Sequence, residues 1–451
     1  MHPFHPMHPR RPTYIALVIA LVAGIVATGL RLWFVTHAQV LQPVDLEYVR
    51  GDAVQYYRYA WNLIHRHTFS VAWSGAAVAA PDSFRDPGYP VVLGIIMAAT
   101  GSFDPFYATT LLVQAILGGA TVALLVIACR RVLSLPWLAA AALLMAIWPH
   151  SIAIPAYLLS ETLLAFLCSV ALCVYGWATT RPRAGRLVVA GVAFGLAALT
   201  NAVLIPFGLV LALFAWWRGG LGTRPAAALL IASLALPMAW GARSLTLPDV
   251  PSAKGRAMTN LVQGSWPSYH LAYQLASHGD AGAQAEIDAM QEEIDTLQAK
   301  PSAGAALMLG RLGERPWTYL RWYLSKPALL WDWSIRIGQG DVYVYPTRES
   351  PLKTSSLLAA MAGACYVLNP ILMLLALIAS VLALVRRGTP PPLQAIACLS
   401  LFVTLVYTIL QAEPRYSIPF RGPEMLLAMA AVPVGLKAWR QRQKRDGVQE
   451  S

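Results

Sequence analysis

The chain has 451 residues, of which 57% are hydrophobic and 12% charged, and a net charge of +12. A soluble domain carries about 25% charged residues, so the composition excludes an ordinary soluble protein. The basic residues sit at the ends of apolar segments, which fits membrane topology and not a nucleic-acid-binding face.

The opening stretch, "MHPFHPMHPRRP", is too polar to span a bilayer, and His2, His5 and His8 read as part of a tail rather than a metal site. Segment 13–35 is too long for a signal-peptide core and reads as the first span. Further spans are predicted near 105–129, 136–157, 161–179, 186–200, 202–217, 225–243, 356–385, 393–410 and 422–438. The apolar run 186–217 folds back at Thr200, Asn201 and Pro206 as a tight helical hairpin. The stretch "YPVVLGIIMAAT", 89–100, is too short to cross and reads as re-entrant or interfacial. Cys129, Cys168, Cys173, Cys365 and Cys398 all fall in apolar stretches, which predicts neither a disulfide nor a thiolate metal site.

Short cytoplasmic loops carry an excess of Lys and Arg. With Arg10 and Arg11 inside, the inside loops hold Arg130, Arg131, Arg181, Arg183, Arg186, Arg218, Arg224, Arg386 and Arg387, then the tail from Lys437. The prediction is therefore an all-α polytopic membrane protein of ten spans with both ends inside. It divides into 1–243, with an outside loop at 36–104, a large outside region at 244–355, and C-terminal spans with a basic tail at 356–451. The middle region contains a charged amphipathic helix, "AEIDAMQEEIDTLQAK", and "PWTYLRWYLSKPALLWDW", whose aromatic residues suit a headgroup boundary.

Chemistry-bearing residues cluster on the outside. "GDAVQYYRYAWNL", 51–63, predicts an interfacial helix capped by Asp52. Its polar stripe is Gln55, Arg58, Asn62 and His65, and its apolar stripe Val54, Tyr57, Trp61 and Ile64. Asp52 is either a plain cap or a carboxylate aimed at lipid headgroups. In "SFRDPGYP", Pro87, Gly88 and Pro90 force a turn beside Arg85 and Asp86, which either pair with each other or serve a site. "LLSETLLAF" puts Glu161 at the mouth of a span, where a carboxylate needs a cavity or a partner. The competing account is capping by Ser160 with Glu161 in the first turn. "QAEPRYSIPFRGPE" is the only short outside loop with basic residues, Arg415 and Arg421. Arg415 either pairs with Glu413 or faces out to grip a lipid-linked phosphate.

The Asp-headed aromatic helix, "RDPGYP", "SET" at the mouth of the fourth span and "EPRYSIP" before the last span together resemble the GT-C glycosyltransferases. The branch resembled is that of bacterial relatives of the protein O-mannosyltransferases and the lipid A aminoarabinose transferase. The resemblance covers the first 210 residues and the last 45, but not 244–355. One departure is "LTNAV", with Asn201, where family members often have "LTRP". The resemblance implies an inverting transferase that takes a sugar from a polyprenyl-phosphate carrier, with an acceptor that is a lipid, a glycan or a protein. The Ala, Arg and Trp content points to a bacterium with GC-rich coding, hence undecaprenyl phosphate, the inner membrane and a site facing the periplasm. Asp52 matches the family's catalytic position, with Asp45 as the nearby alternative, and Glu161 is a second acidic group. Such a reaction needs a base for the attacking hydroxyl and cations for the departing phosphate. Arg415, Arg85 and either Arg421 or Arg256 are the candidate cations, and Asp86, Tyr56, Tyr89 and Tyr416 are expected to line the substrate cavity. No pattern demands a metal, and a divalent cation shared by Asp52 and Glu161 stays open. Two rival classes remain, a transporter or flippase for a lipid-linked sugar and a non-catalytic lipid-binding subunit. Convergence of Asp52, Glu161 and Arg415 in one cavity would separate an enzyme from these.

Overall fold

Long apolar runs fold as helices because, in hydrocarbon, each backbone N–H must be satisfied within its own segment. The computed structural model describes residues 11–247 and 252–434. The tail histidines, Arg10 and the basic tail from Lys437 lie outside the described residues. The N-terminal half runs α1 (Arg11–His37), α2 (Asp52–His65), α3 (Gly88–Thr100), α4 (Phe103–Cys129), α5 (Leu135–Ile147), α6 (Pro149–Ala153), α7 (Glu161–Ala178), α8 (Ala184–Thr200), α9 (Phe207–Trp217) and α10 (Thr223–Ser244). Next come the shorter helices α11 (Ala253–Ser265), α12 (Tyr269–Ser277), α13 (Ala281–Ala299), α14 (Pro301–Glu314), α15 (Pro316–Leu330) and α16 (Pro351–Thr354). The chain closes with α17 (Ser356–Val385), α18 (Pro391–Ile409), α19 (Pro414–Ser417) and a last helix, α20, over 421–434. The strand pair β1 (Gln39–Val40) and β2 (Thr347–Arg348) ties the first outside loop to the segment before α16.

Among the described residues six helices, α1, α4, α7, α10, α17 and α18, are long and apolar enough to cross a membrane. The predicted span 136–157 is broken: α5 and the segment 149–156 meet at 51°, where Pro149 removes a backbone donor. The hairpin predicted at 200–206 is present as α8, a 3-10 turn over Ala202–Leu204, and α9. These two helices are shorter than a usual span, and α20 runs to the edge of the described residues. Helix α3 has 13 residues, about 20 Å of helix, which is too short to cross. Its first residue, Gly88, lies against Leu199 and Thr200 at the end of α8. Just past its end, Phe103 packs on Tyr57 of α2.

The predicted outside turns meet at one end of the bundle. At the other end, Arg218 donates to the Val385 carbonyl at 2.6 Å, joining two of the predicted inside loops. The main core packs α1, α4, α5, α7, α8, α9, α17, α18 and α20. A second core of Tyr56, Tyr89, Leu93, Phe106, Tyr157 and Leu158 supports the outer end.

Helix α2 departs from the expected interfacial helix. Arg58 and Asn62 of its polar stripe are buried. Arg58 pairs with Asp45 at 3.1 Å, and Asn62 donates to the carbonyls of Ser70 and Ala72. These groups hold the surrounding loops, so the middle of the stripe faces protein rather than water, and only His65 at its end is exposed.

Candidate active site

Gly51 takes the N-cap position of α2 with φ 141°, a conformation open to glycine, and no side chain caps the helix. Asp52 is therefore the first helical residue and not the cap that the sequence predicts. Its two carboxylate oxygens accept from different arginines, Oδ1 from Arg85 Nη2 and Oδ2 from Arg415 Nη2. Arg85 also donates from Nε to Gln55 Oε1 at 2.6 Å, and its guanidinium lies 5.1 Å from the Tyr56 ring centre. Arg415 forms a second ion pair, Nε to Glu161 Oε1, at 2.9 Å. One guanidinium thus links the carboxylates of α2 and α7.

Neither local pairing predicted from sequence forms. Adjacent in the turn, Arg85 and Asp86 point apart, and Asp86 instead receives both oxygens' contacts from Arg256 Nη2, at 2.9 and 2.8 Å, plus the Ala202 N–H at 3.1 Å. Glu413 turns away from Arg415 to accept the Arg336 N–H at 2.7 Å and to pair with His270 at 3.1 Å. Ser160 does not cap α7; its hydroxyl accepts from Tyr56 at 3.1 Å.

These residues line one cavity of about 460 Å³. Asp52, Tyr56, Arg85, Asp86, Glu161, Arg415 and Tyr416 all face it, so Asp52, Glu161 and Arg415 converge as the discriminating test required. Tyr89 stands one layer back, edge-on to Tyr56 at 5.0 Å, with its hydroxyl on Gln114. Asp45 is taken up by Arg58. Arg421 is not brought to the cavity. It is buried in a separate knot, donating to Asn369 Oδ1, Glu424 Oε2 and the carbonyls of Trp331 and Asp332.

The sequence reading missed Tyr407, Gln411, Thr259 and Asn260, which also line the cavity. Tyr407 stacks on Tyr416 at 5.1 Å. A signal was present: Arg256, Thr259 and Asn260 recur at helical spacing on one face of α11. Asn201, at the departure from the family pattern, lines the cavity and accepts the Val203 N–H at 3.1 Å, capping the turn between α8 and α9.

Burial by itself raises the Asp52 carboxyl, but the charges of Arg85 and Arg415 and their hydrogen bonds outweigh it, holding Asp52 well below the usual carboxylate range. The same two carboxylates, Asp52 and Glu161, overcome the burial of Arg415 and keep it charged. Among the described residues no three His, Cys, Asp or Glu side chains gather to hold a metal ion. Arg415 already links the two carboxylates that a shared divalent cation would need, so the residues present do not fit one.

No family model and no curated protein matches the chain. Solved structures do. The oligosaccharyltransferase of Archaeoglobus fulgidus in its apo form aligns with 96% of this chain and 52% of its own, at 14% identity and a TM-score of 0.51. The same enzyme tethered to an acceptor peptide containing the NVT sequon aligns with 93% of this chain and 49% of its own, at 14% identity and a TM-score of 0.50. The chain therefore shares the fold of the membrane region of that archaeal enzyme over most of its own length. The chain spans about half the length of that archaeal protein. ArnT from Cupriavidus metallidurans bound to undecaprenyl phosphate also aligns, at 15% identity over 91% of this chain and 77% of its own, with a TM-score of 0.34 that is too low to bear on the fold.

Proposed function

We propose that this protein is an inverting glycosyltransferase that moves a sugar from a polyprenyl-phosphate carrier to an acceptor at the outer, periplasmic face of a bacterial inner membrane. The observation that carries the reading is the meeting of Asp52, Arg85, Glu161 and Arg415 in one cavity, drawn from sequence-distant segments. A lipid-binding subunit has no need to hold carboxylates and guanidiniums together at a cavity of substrate size. The GT-C fold is one in which the structural neighbours perform glycosyl transfer.

The chemistry follows from the groups. The acceptor hydroxyl gives its proton to the Asp52 carboxylate and attacks the anomeric carbon on the face opposite the phosphate. The bond from that carbon to the phosphate oxygen breaks, and its electron pair leaves with the polyprenyl phosphate. Arg415 and Arg85 neutralise the departing anion. Tyr56 and Tyr416 form aromatic walls for the sugar ring, and the Asp86–Arg256 pair, which also lines the cavity, meets its hydroxyls. Glu161 holds Arg415 in place from the mouth of α7. The acceptor is a lipid, a glycan or a protein hydroxyl.

Transfer assays with the purified protein and a panel of polyprenyl-phosphate sugars test this. Asp52→Asn keeps the size of the side chain and removes its basicity, so transfer should fall by about 10²- to 10⁴-fold. Asp45→Asn should leave most activity, because that carboxylate serves Arg58. Activity retained in Asp52→Asn but lost in Glu161→Gln would move the base to Glu161. Activity in all three would return the chain to the lipid-binding class.

A further inference from the structure

Among the described residues, the cavity that should receive a phosphate has no spare cation. Arg85, Arg415 and Arg256 stand against Asp52, Glu161 and Asp86, three charges of each sign. Both oxygens of Asp52 are occupied by arginine, and both arginines use an Nη on it. Resting on the transferase reading above, we propose that Asp52 is held inactive by Arg85 and Arg415 until the donor phosphate displaces it, so that donor binding releases the base. Phosphate and carboxylate oxygens are matched by the same planar fork of guanidinium donors, so one can replace the other without rebuilding the site. The exchange is also accessible: the Asp52 side chain is 24% exposed, and Arg85 and Arg415 are 13% and 15% exposed.

Two further contacts limit the motion to the contacts on Asp52. Arg85 keeps its Nε on Gln55, and Arg415 keeps its Nε on Glu161. Each guanidinium is therefore held through its Nε while its Nη2 contact is traded from carboxylate to phosphate. Once traded, Asp52 faces the cavity without a cation on either oxygen, and the burial that raises its affinity for a proton is no longer opposed. The acceptor hydroxyl then finds a competent base only in the donor-loaded protein, so donor binds before acceptor is activated.

The competition gives a sign that simple site assembly does not. Binding of undecaprenyl phosphate to the full chain in nanodiscs is measured for wild type, Asp52→Asn, Glu161→Gln, Arg85→Ala and Arg415→Ala. Removing the competing charge in Asp52→Asn should tighten binding roughly tenfold or more, while abolishing transfer. Glu161→Gln, which frees the Nε of Arg415 and leaves its Nη2 on Asp52, should tighten it less, and it keeps the test alive if Asp52→Asn does not fold. Arg415→Ala should weaken binding. Unchanged or weaker binding in Asp52→Asn, with Arg415→Ala still weak, would overturn the displacement and leave the transferase reading in place. Binding unaffected by loss of either arginine would remove the phosphate site itself, and this inference with it.

Discussion

Arg415 and Arg421 stand in one short segment at the head of the last helix, and folding sends them to different surroundings. Arg415 reaches carboxylates from two other segments, Asp52 and Glu161, at the wall of an open cavity. Arg421 is enclosed, 1% exposed at its side chain, and its carboxylate partner Glu424 is three residues away on the same helix. The indoles of Trp148 and Trp331 approach it at 5.9 and 5.5 Å. The first cation has partners that a ligand can replace; the second has partners that only unfolding can remove. Charge in a membrane protein marks function where its partners can be exchanged, and architecture where they cannot.

The sharpest way to break this comparison is to remove each arginine in turn. Arg421→Ala leaves Glu424 buried without its cation and frees the carbonyls of Trp331 and Asp332. Breaking a buried pair in this way costs about 3 to 5 kcal/mol. The variant should show a large fall in thermal stability in detergent, and any loss of activity should follow the folded fraction. The double variant Arg421→Met with Glu424→Gln should recover part of that stability, since no uncompensated charge is left.

Arg415→Ala should cost less stability, because Asp52 keeps Arg85 and only Glu161, at the cavity wall, loses its cation. Its effect belongs in the kinetics. A contact made to donor and transition state alike raises the apparent donor KM more than it lowers kcat. A rise in KM of about tenfold is expected for a lost charge-assisted contact. If Arg415→Ala proves as unstable as Arg421→Ala, the two arginines do not differ in kind and the cavity is only another packed junction.

Much of the fold was legible because apolar run length carries it. The long spans, the hairpin at Thr200 to Pro206 and the short α3 all follow from hydropathy and from where proline and polar residues interrupt it. The break at Trp148 was less visible, since Pro149 sits inside an otherwise continuous apolar segment. The candidate cavity was legible in part of its lining and not in its pairings: Arg421 was expected there and is elsewhere, and Tyr407, Gln411, Thr259 and Asn260 were not expected. Asp52, Glu161 and Arg415 stand out as charges at the mouths of apolar segments. Their partners are set by tertiary structure: Arg85 lies 33 residues from Asp52 and Arg415 lies 363. Of the alternatives left open at Arg85–Asp86 and at Glu413–Arg415, the pairing of sequence neighbours is the one that does not form, because a tight turn and a short helix aim nearby side chains apart. For Arg421 the i, i+3 glutamate was in view, and that spacing on a helix was the clue that its charge is satisfied locally.

Lys326 extends the comparison to a buried cation that holds carbonyls in place of a carboxylate. On α15 it is fully buried and donates to the Gly264 carbonyl at 2.9 Å and to the Leu410 carbonyl. Gly264 packs on the Leu410–Gln411 peptide so closely that any Cβ there would strike backbone. The lysine thus fastens the end of α11, which carries Arg256, to the segment that leads into Arg415. Burial lowers its pKa to about 7. The unfolded lysine stays protonated up to about pH 10.4, so between these values the unfolded chain binds more protons than the folded one. Stability should therefore rise with pH across that window, by about 1 kcal/mol between pH 7 and pH 8, and level off below it, where both states are protonated. Lys326→Met removes the titrating group, and its stability, followed by thermal unfolding from pH 6 to pH 9, should lose that rise. A donor KM that moves little in the same variant would place Lys326 with the architecture of Arg421. A KM that climbs with that of Arg415→Ala would show that the carbonyl clamp sets the reach of Arg415.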